Sequence, residues 1–258
     1  MKANRELWDA WASFHPQTEM YRMEAFRNGA SSLMPLELQA LSRVEGKSLL
    51  HLQCHFGQDT ISWSRLGALA TGVDFSGKAI STARTLATTL NADTDFIQSD
   101  VLNLDLGKCF DIVFTSYGVL AWLPDLRRWG AVVAQHLKPG GVFFIAEFHP
   151  VLMMFDFGTG KCAYSYFKSS DPYEESVEGS YANPEEGTAR TEYTWSYSLS
   201  EVISALTEQG LVLESFEEYP YAPYNCFPNM KQRTDGMYES VLLAGAPHLF
   251  TLKMRKPG

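Results

Sequence analysis

The chain has 258 residues, 45% hydrophobic and 20% charged, which suits one α/β domain carrying a cap and an insertion. No run approaches the roughly 18 apolar residues of a membrane span. Met1-Lys2-Ala3-Asn4-Arg5-Glu6 lacks the apolar centre of a secretory signal, so the expected location is cytoplasmic. A net charge of −9 opposes approach to phosphate backbones and disfavours a nucleic-acid substrate. Basic residues cluster only at Lys253, Arg255 and Lys256. Cys54, Cys109, Cys162 and Cys226 are scattered with no Cys-x-x-Cys pair, so free thiols and no structural zinc are expected.

Residues 1–45 read as a helical cap. Leu7, Trp11 and Phe14 share one helical face, as do Met20, Met23 and Phe26, with Gly29 as a stop and Pro35 opening another helix. These aromatics lie over a ligand edge or simply pack helices to the core.

From Gly46 to Pro150 strands and helices alternate. Strand one is Ser48–Leu52, followed by a helix from Gln58 to Leu66 that Gly67 ends. Strand two is Ala70–Asp74, and Ser76 caps the next helix, whose Ile80, Ala83 and Ala87 share a face. Strand three is Phe96–Gln98. Strand four, Phe110–Ser116, is almost continuously apolar, as expected of a strand covered on both faces. A helix from Asp125 to Leu137 ends at Lys138-Pro139-Gly140-Gly141, and strand five is Val142–Glu147. Five strands alternating with four helices imply parallel pairing and right-handed crossovers.

The rhythm breaks at His149-Pro150. Residues 151–195, rich in glycine, tyrosine, proline and acids, read as an insertion of loops and a hairpin that serves as a lid; such long loops are commonly functional. Residues 196–258 resume the core. Ser198-Leu199-Ser200-Glu201 is a capping box opening a helix, Leu211–Phe216 is strand six, and Phe250, Leu252 and Met254 alternate with polar residues in a seventh, antiparallel strand.

Five ordered segments carry a family resemblance. They are Leu50-His51-Leu52-Gln53-Cys54-His55-Phe56-Gly57-Gln58-Asp59-Thr60; Gly72-Val73-Asp74-Phe75-Ser76; Ser99-Asp100; Phe110-Asp111-Ile112-Val113; and Leu137-Lys138-Pro139-Gly140-Gly141. In this the chain resembles the class I S-adenosylmethionine-dependent methyltransferases of small molecules. The resemblance implies an α/β, Rossmann-like, doubly wound sheet of seven mostly parallel strands, the last antiparallel. It also implies S-adenosylmethionine as cofactor, a small-molecule methyl acceptor, and a monomer or homodimer. The family's first turn has an acid in the strand and three glycines; here His51, Gln53, His55 and Gly57 hold those positions. Gln53 and His55 are therefore expected on ordinary backbone angles, since glycine is the residue for positive φ.

By position in the motifs, Asp74 accepts the ribose hydroxyls, Phe75 lies against the adenine, and Ser76 adjoins them. Asp100 and the N–H of Val101 meet the adenine edge. Gln53, His55 and Gly57 approach the methionine portion, with Tyr21 from the cap. Ser116 or Tyr117 closes the site near the sulfonium. Other roles are open to these residues: Asp74 as a helix cap, Asp100 as a turn former. Base candidates are Glu147 and His149 at the sheet's carboxyl edge, and His15 in the cap. His149 alternatively fixes the turn before Pro150, and His51 reads as a core histidine. Glu147-x-His149 lacks further ligands at metal spacing, so no metal is expected. Tyr21, Trp122, Tyr193, Trp195 and Tyr197 offer ring faces for a lid. A nicotinamide dehydrogenase competes through the placement of Asp74, but Gly-x-Gly-x-x-Gly is missing. A non-catalytic binder of S-adenosylmethionine or S-adenosylhomocysteine is the other alternative.

Overall fold

The computed structural model describes residues 2–227 and 230–258. Before the sheet come α1 (Lys2–Phe14), two 3-10 turns over residues 15–17 and 19–21, α2 (Met23–Arg27) and α3 (Pro35–Ala40). The core then runs β1 (Ser48–Leu52), α4 (Gln58–Arg65), β2 (Leu69–Asp74), α5 (Gly77–Leu90), β3 (Thr94–Gln98), β4 (Phe110–Ser116), α6 (Leu126–Gln135) and β5 (Leu137–Phe148). The insertion carries a hairpin of β6 (Tyr173–Val177) and β7 (Arg190–Thr194). α7 (Leu199–Thr207) and β8 (Val212–Tyr219) follow, then a small hairpin of β9 (Met230–Gln232) and β10 (Tyr238–Ser240), then β11 (Leu249–Arg255).

One seven-stranded sheet has the order β3-β2-β1-β4-β5-β11-β8, and β11 runs antiparallel to both its neighbours. The order reverses beside β1: β2 lies on one side and β4 on the other. Such switch points open a crevice beyond the carboxyl ends of the strands.

Alternation along the strands sends side chains to two covered faces. Leu50, Leu52, Val113, Phe143 and Ile145 pack with Trp129, Val133, Val202 and Leu206 of α6 and α7. Leu49, Ile112, Phe114 and Phe144 pack with Trp63 of α4. α6 and α7 meet closely at Gly130, where a Cβ would collide with the carbonyl of Ala205. Helix starts follow the sequence signals: Ser76, Asp125 and Ser198 each accept a backbone N–H of the first turn, and Ser198 and Glu201 form the capping box.

Two expectations change. The β3–β4 crossover holds a 3-10 turn, Val101–Asn103, in place of an α-helix, because Asp100 caps it and the segment is only a dozen residues long. β5 begins at Leu137, with Pro139-Gly140 inside an irregularity in its pairing with β4, so these residues bend the strand more than they precede it. The 219–238 loop carries short paired strands. The basic trio is absorbed at the opposite end of the sheet: Lys253 and Arg255 pair with Glu214, and Lys256 donates to the carbonyls of Ala134 and Leu137. Among the described residues no helix is long and apolar enough to cross a membrane, and all four cysteines are free.

Candidate functional site

The turn leaving β1 is the first part of the site. Gly57 caps α4 at φ 83°, and a Cβ there would lie 2.5 Å from the Phe96 ring. Contrary to the expectation of ordinary angles, Gln53 and His55 are also left-handed, at φ 56° and 52°. Each such residue costs on the order of 1–3 kcal/mol and persists only where surroundings over-determine it. Here they do. Gln53 Nε2 donates to the Val119 carbonyl at 3.1 Å, and the His55 N–H donates to Asp74 Oδ2 at 2.8 Å. Gln53 Oε1 and His55 Nε2 are buried and have no partner. His55 is neutral, since burial and the neighbouring His15 hold its pKa well below the usual histidine value.

Asp74 closes β2 and is 8% exposed. Its second oxygen accepts the Ser76 N–H at 2.8 Å, so one carboxylate ties the β1 turn to the start of α5. Burial outweighs these bonds and pushes its pKa up to about 6. Ser76 Oγ caps α5 and donates to Asp9 Oδ1 at 2.6 Å, which latches α1 over this corner. Phe75 is half-buried beside it. Asp100 accepts the Leu102 N–H and the Asn103 amide, as a turn former does, and Val101 is buried behind it.

Across the crevice lie carboxylates that sequence reading did not single out. Asp59 accepts Ser32 Oγ at 2.6 Å and Ser116 Oγ at 3.3 Å. Glu37 is 1% exposed and takes the Met34 N–H as the third residue of α3. Both are pushed up in pKa by burial. In sequence each reads as an ordinary acid in a first helical turn, favourable there in any protein. Tyr117, at φ 30° after β4, has a buried hydroxyl with no partner. Burial, Glu37 and Asp59 hold its phenol protonated.

The base candidates are engaged elsewhere. Glu147 accepts four backbone N–H groups: Gly118 and Phe148 on Oε1, Val119 and Leu120 on Oε2. It fixes the loop after β4. His149 Nδ1 accepts the Val151 N–H at 3.1 Å, so its Nε2–H points to Glu218 at 2.8 Å, and neither nitrogen is free for a ligand proton. His51 is a core histidine, bonded to Thr60 Oγ1 at 2.9 Å.

The roof joins the cap to the insertion. Trp8 packs edge-on against Trp11, His55 and Trp122, at ring centroid distances of 5.1, 5.4 and 5.3 Å. Trp11 Nε1 donates to the Gly179 carbonyl at 2.9 Å. Tyr21 lies 4.7 Å from the Phe56 ring and reaches Tyr181 OH at 2.5 Å. Tyr193 joins this roof through its backbone bonds to Asn4. Trp195 and Tyr197 instead line a separate, mostly apolar recess with Leu120, Phe148 and Met153. Tyr181 escaped the sequence reading because the Gly/Pro-rich insertion has no periodicity to place its side chains.

An open sheet of this order, with an acid ending β2 and a tight turn after β1, has the fold of the class I S-adenosylmethionine-dependent methyltransferases. Residues 49–141 match the family described as methyltransferase domain. The chain is 33% identical over 142 residues to a ubiquinone biosynthesis O-methyltransferase of Nitrosococcus oceani, covering 53% of this chain and 55% of that one. It is 33% identical over 119 residues to an uncharacterized methyltransferase of Synechocystis, covering 45% and 53%. The match thus spans about half the length of these curated relatives. A crystal structure of an S-adenosylmethionine-dependent methyltransferase from Mesorhizobium loti superposes with TM-score 0.57 at 20% identity, over 89% of this chain and 99% of that one. One from Clostridium acetobutylicum gives 0.56 at 17%, over 82% and 84%.

Proposed function

We propose that the protein is an S-adenosylmethionine-dependent methyltransferase acting on a small-molecule acceptor. The observation that carries this reading is electrostatic. Asp59, Asp74, Glu37 and Glu147 gather at the carboxyl edge of β1, β2, β4 and β5, and among the described residues none forms an ion pair. Burial raises the pKa of each, so a positively charged ligand, which favours their ionised form, is the complementary partner. S-adenosylmethionine carries a sulfonium and an ammonium; a nicotinamide dinucleotide brings a pyrophosphate. The buried unpartnered atoms of Gln53 and His55 likewise fit a polar amino-acid tail.

In this reading Asp74 takes the ribose diol and Phe75 flanks the adenine, with Asp100 and the Val101 N–H at its edge. Gln53, His55, Gly57 and Ser116 surround the tail. Bound there, the cofactor supplies an activated methyl group. The chain supplies orientation and dryness: the Trp8, Trp11 and Trp122 rings roof the turn, and Glu147 holds the 117–120 loop in place. Oriented capture of this kind lowers a barrier by on the order of 7–11 kcal/mol. Tyr117, held protonated beside Glu37, presents its hydroxyl oxygen at the sulfonium side. The relatives' names make a hydroxyl the first acceptor class to try.

Calorimetry tests the cofactor assignment. S-adenosylhomocysteine should bind and NAD should not, and Asp74→Ala should weaken S-adenosylhomocysteine by about 100-fold or more, as loss of a charge-assisted pair of bonds implies. Equal affinity in the variant would remove the ribose role. Tight binding with no turnover over a panel of hydroxylated aromatic acceptors would favour a non-catalytic binder.

A further inference from the structure

His15 is completely buried at the end of α1, and its two nitrogens face different partners. Nε2 lies 3.0 Å from Ser180 Oγ. Nδ1 lies 3.3 Å from Tyr21 OH and 3.5 Å from Tyr181 OH. The tautomer follows from Ser180. Its Oγ already accepts the N–H groups of Ala182 at 3.2 Å and Asn183 at 3.1 Å. A hydroxyl has two acceptor sites and one proton, so that proton is donated to His15 Nε2. The imidazole hydrogen therefore sits on Nδ1 and points at the tyrosines.

The consequence is a directed chain. Ser180 donates to His15, His15 donates to Tyr21, and Tyr21 donates across 2.5 Å to Tyr181. Tyr181 has its own O–H left to give, and its side chain is 40% exposed. Burial keeps His15 neutral, with a pKa lowered to about 3, and keeps both phenols protonated. Protonating His15 would also require Ser180 to turn its hydrogen against two N–H groups. His15 thus orients donors and accepts no substrate proton. His55, its imidazole 5.2 Å from that of His15 and 5.7 Å from the Tyr21 ring, adds a buried, unpartnered Nε2.

The geometry points to a carboxylate site at the tyrosine pair: Tyr181, its own O–H left free because Tyr21 donates to it beneath the Ser180-locked His15, receives a ligand carboxylate beside His55. The inference rests on the methyltransferase reading and deepens it. It separates the two ends of an amino-acid tail, with the ammonium toward Asp59 and Ser116 and the carboxylate toward the tyrosines. The carboxylate belongs either to the cofactor's tail or to the methyl acceptor, and the experiment separates these sources.

Calorimetry is run on wild type, Tyr181→Phe and Tyr21→Phe with S-adenosylhomocysteine and with 5′-methylthioadenosine, which keeps the nucleoside and sulfur but lacks the tail. A cofactor carboxylate predicts about ten-fold or greater loss for S-adenosylhomocysteine, the scale of a hydrogen bond to a charge, and no loss for 5′-methylthioadenosine. An acceptor carboxylate predicts no change for either, but saturable benzoate binding to the S-adenosylhomocysteine complex that Tyr181→Phe abolishes. Unchanged tail discrimination together with no benzoate site overturns the pair. If wild type binds neither nucleoside, the cofactor reading fails by itself, and benzoate titration of the free protein decides the pair alone. The positioning role of His15 has its own readout: long-range proton–nitrogen NMR should show a protonated Nδ1 and a bare Nε2. A proton on Nε2 would overturn the directed chain, whatever the binding data.

Discussion

At the residue scale the site depends on one carboxylate serving two turns. Asp74 holds the His55 and Ser76 amides at 2.8 Å each, yet burial raises its pKa to about 6. Donation by a ribose diol favours the ionised form, so acid should oppose binding. S-adenosylhomocysteine affinity should fall as pH drops below about 6 and level off above it, and Asp74→Asn should bind weakly with that dependence removed. Calorimetry between pH 5 and 8 reads this; an unchanged slope in the variant would assign the titration to another group. Gly57 is the other residue without a substitute. Its φ of 83° and the 2.5 Å approach of Phe96 to an added Cβ combine a left-handed penalty of about 1–2 kcal/mol with overpacking of about 1–3 kcal/mol. Gly57→Ala should therefore lose about 2–5 kcal/mol in urea unfolding. Gln53 and His55 bear the same left-handed penalty nearby, because their bonds to Val119 and Asp74 hold them.

At the scale of elements, the loop after β4 is held in place by its neighbour. Glu147, at the end of β5, gathers the Gly118, Val119, Leu120 and Phe148 amides. Glu147→Gln would turn an amide NH₂ against backbone donors, and leaving such groups unsatisfied costs about 1–3 kcal/mol. Urea midpoints should fall accordingly, and an unchanged midpoint would mean the loop is held from elsewhere. This role was hidden in sequence, where Glu147 and His149 look like paired bases at a strand end. What was readable there is what short-range chemistry dictates: the caps at Ser76 and Ser198, the apolar run of β4, the acid at the end of β2, and the antiparallel alternation of β11. Long-range partners were not. Nothing local announces that Asp59 faces Ser116 across 57 positions, that Glu37 lies near Tyr117, or that His55 takes a glycine's backbone angle because Asp74 binds its N–H.

At the scale of the molecule, the cap and the insertion behave as one roof. Asn4 is fully buried and mimics a strand: its Nδ2 donates to the Tyr193 carbonyl at 2.7 Å and its Oδ1 accepts the Tyr193 N–H at 2.8 Å. Trp11 and His15 hold Gly179 and Ser180, and Asp9 latches α1 onto α5. Two segments far apart in sequence thus share their stability, and local opening of one should release the other. Asn4→Ala removes both bonds to β7, about 2 kcal/mol together. By hydrogen exchange, amides 190–194 should then lose roughly thirty-fold in protection while β1, β4 and β5 keep theirs. S-adenosylhomocysteine should act in the opposite direction, protecting residues 2–14 and 173–194 together, because a ligand between turn and roof is enclosed by both. Protection confined to residues 2–14 would show that the cap closes alone and that the insertion has a different task.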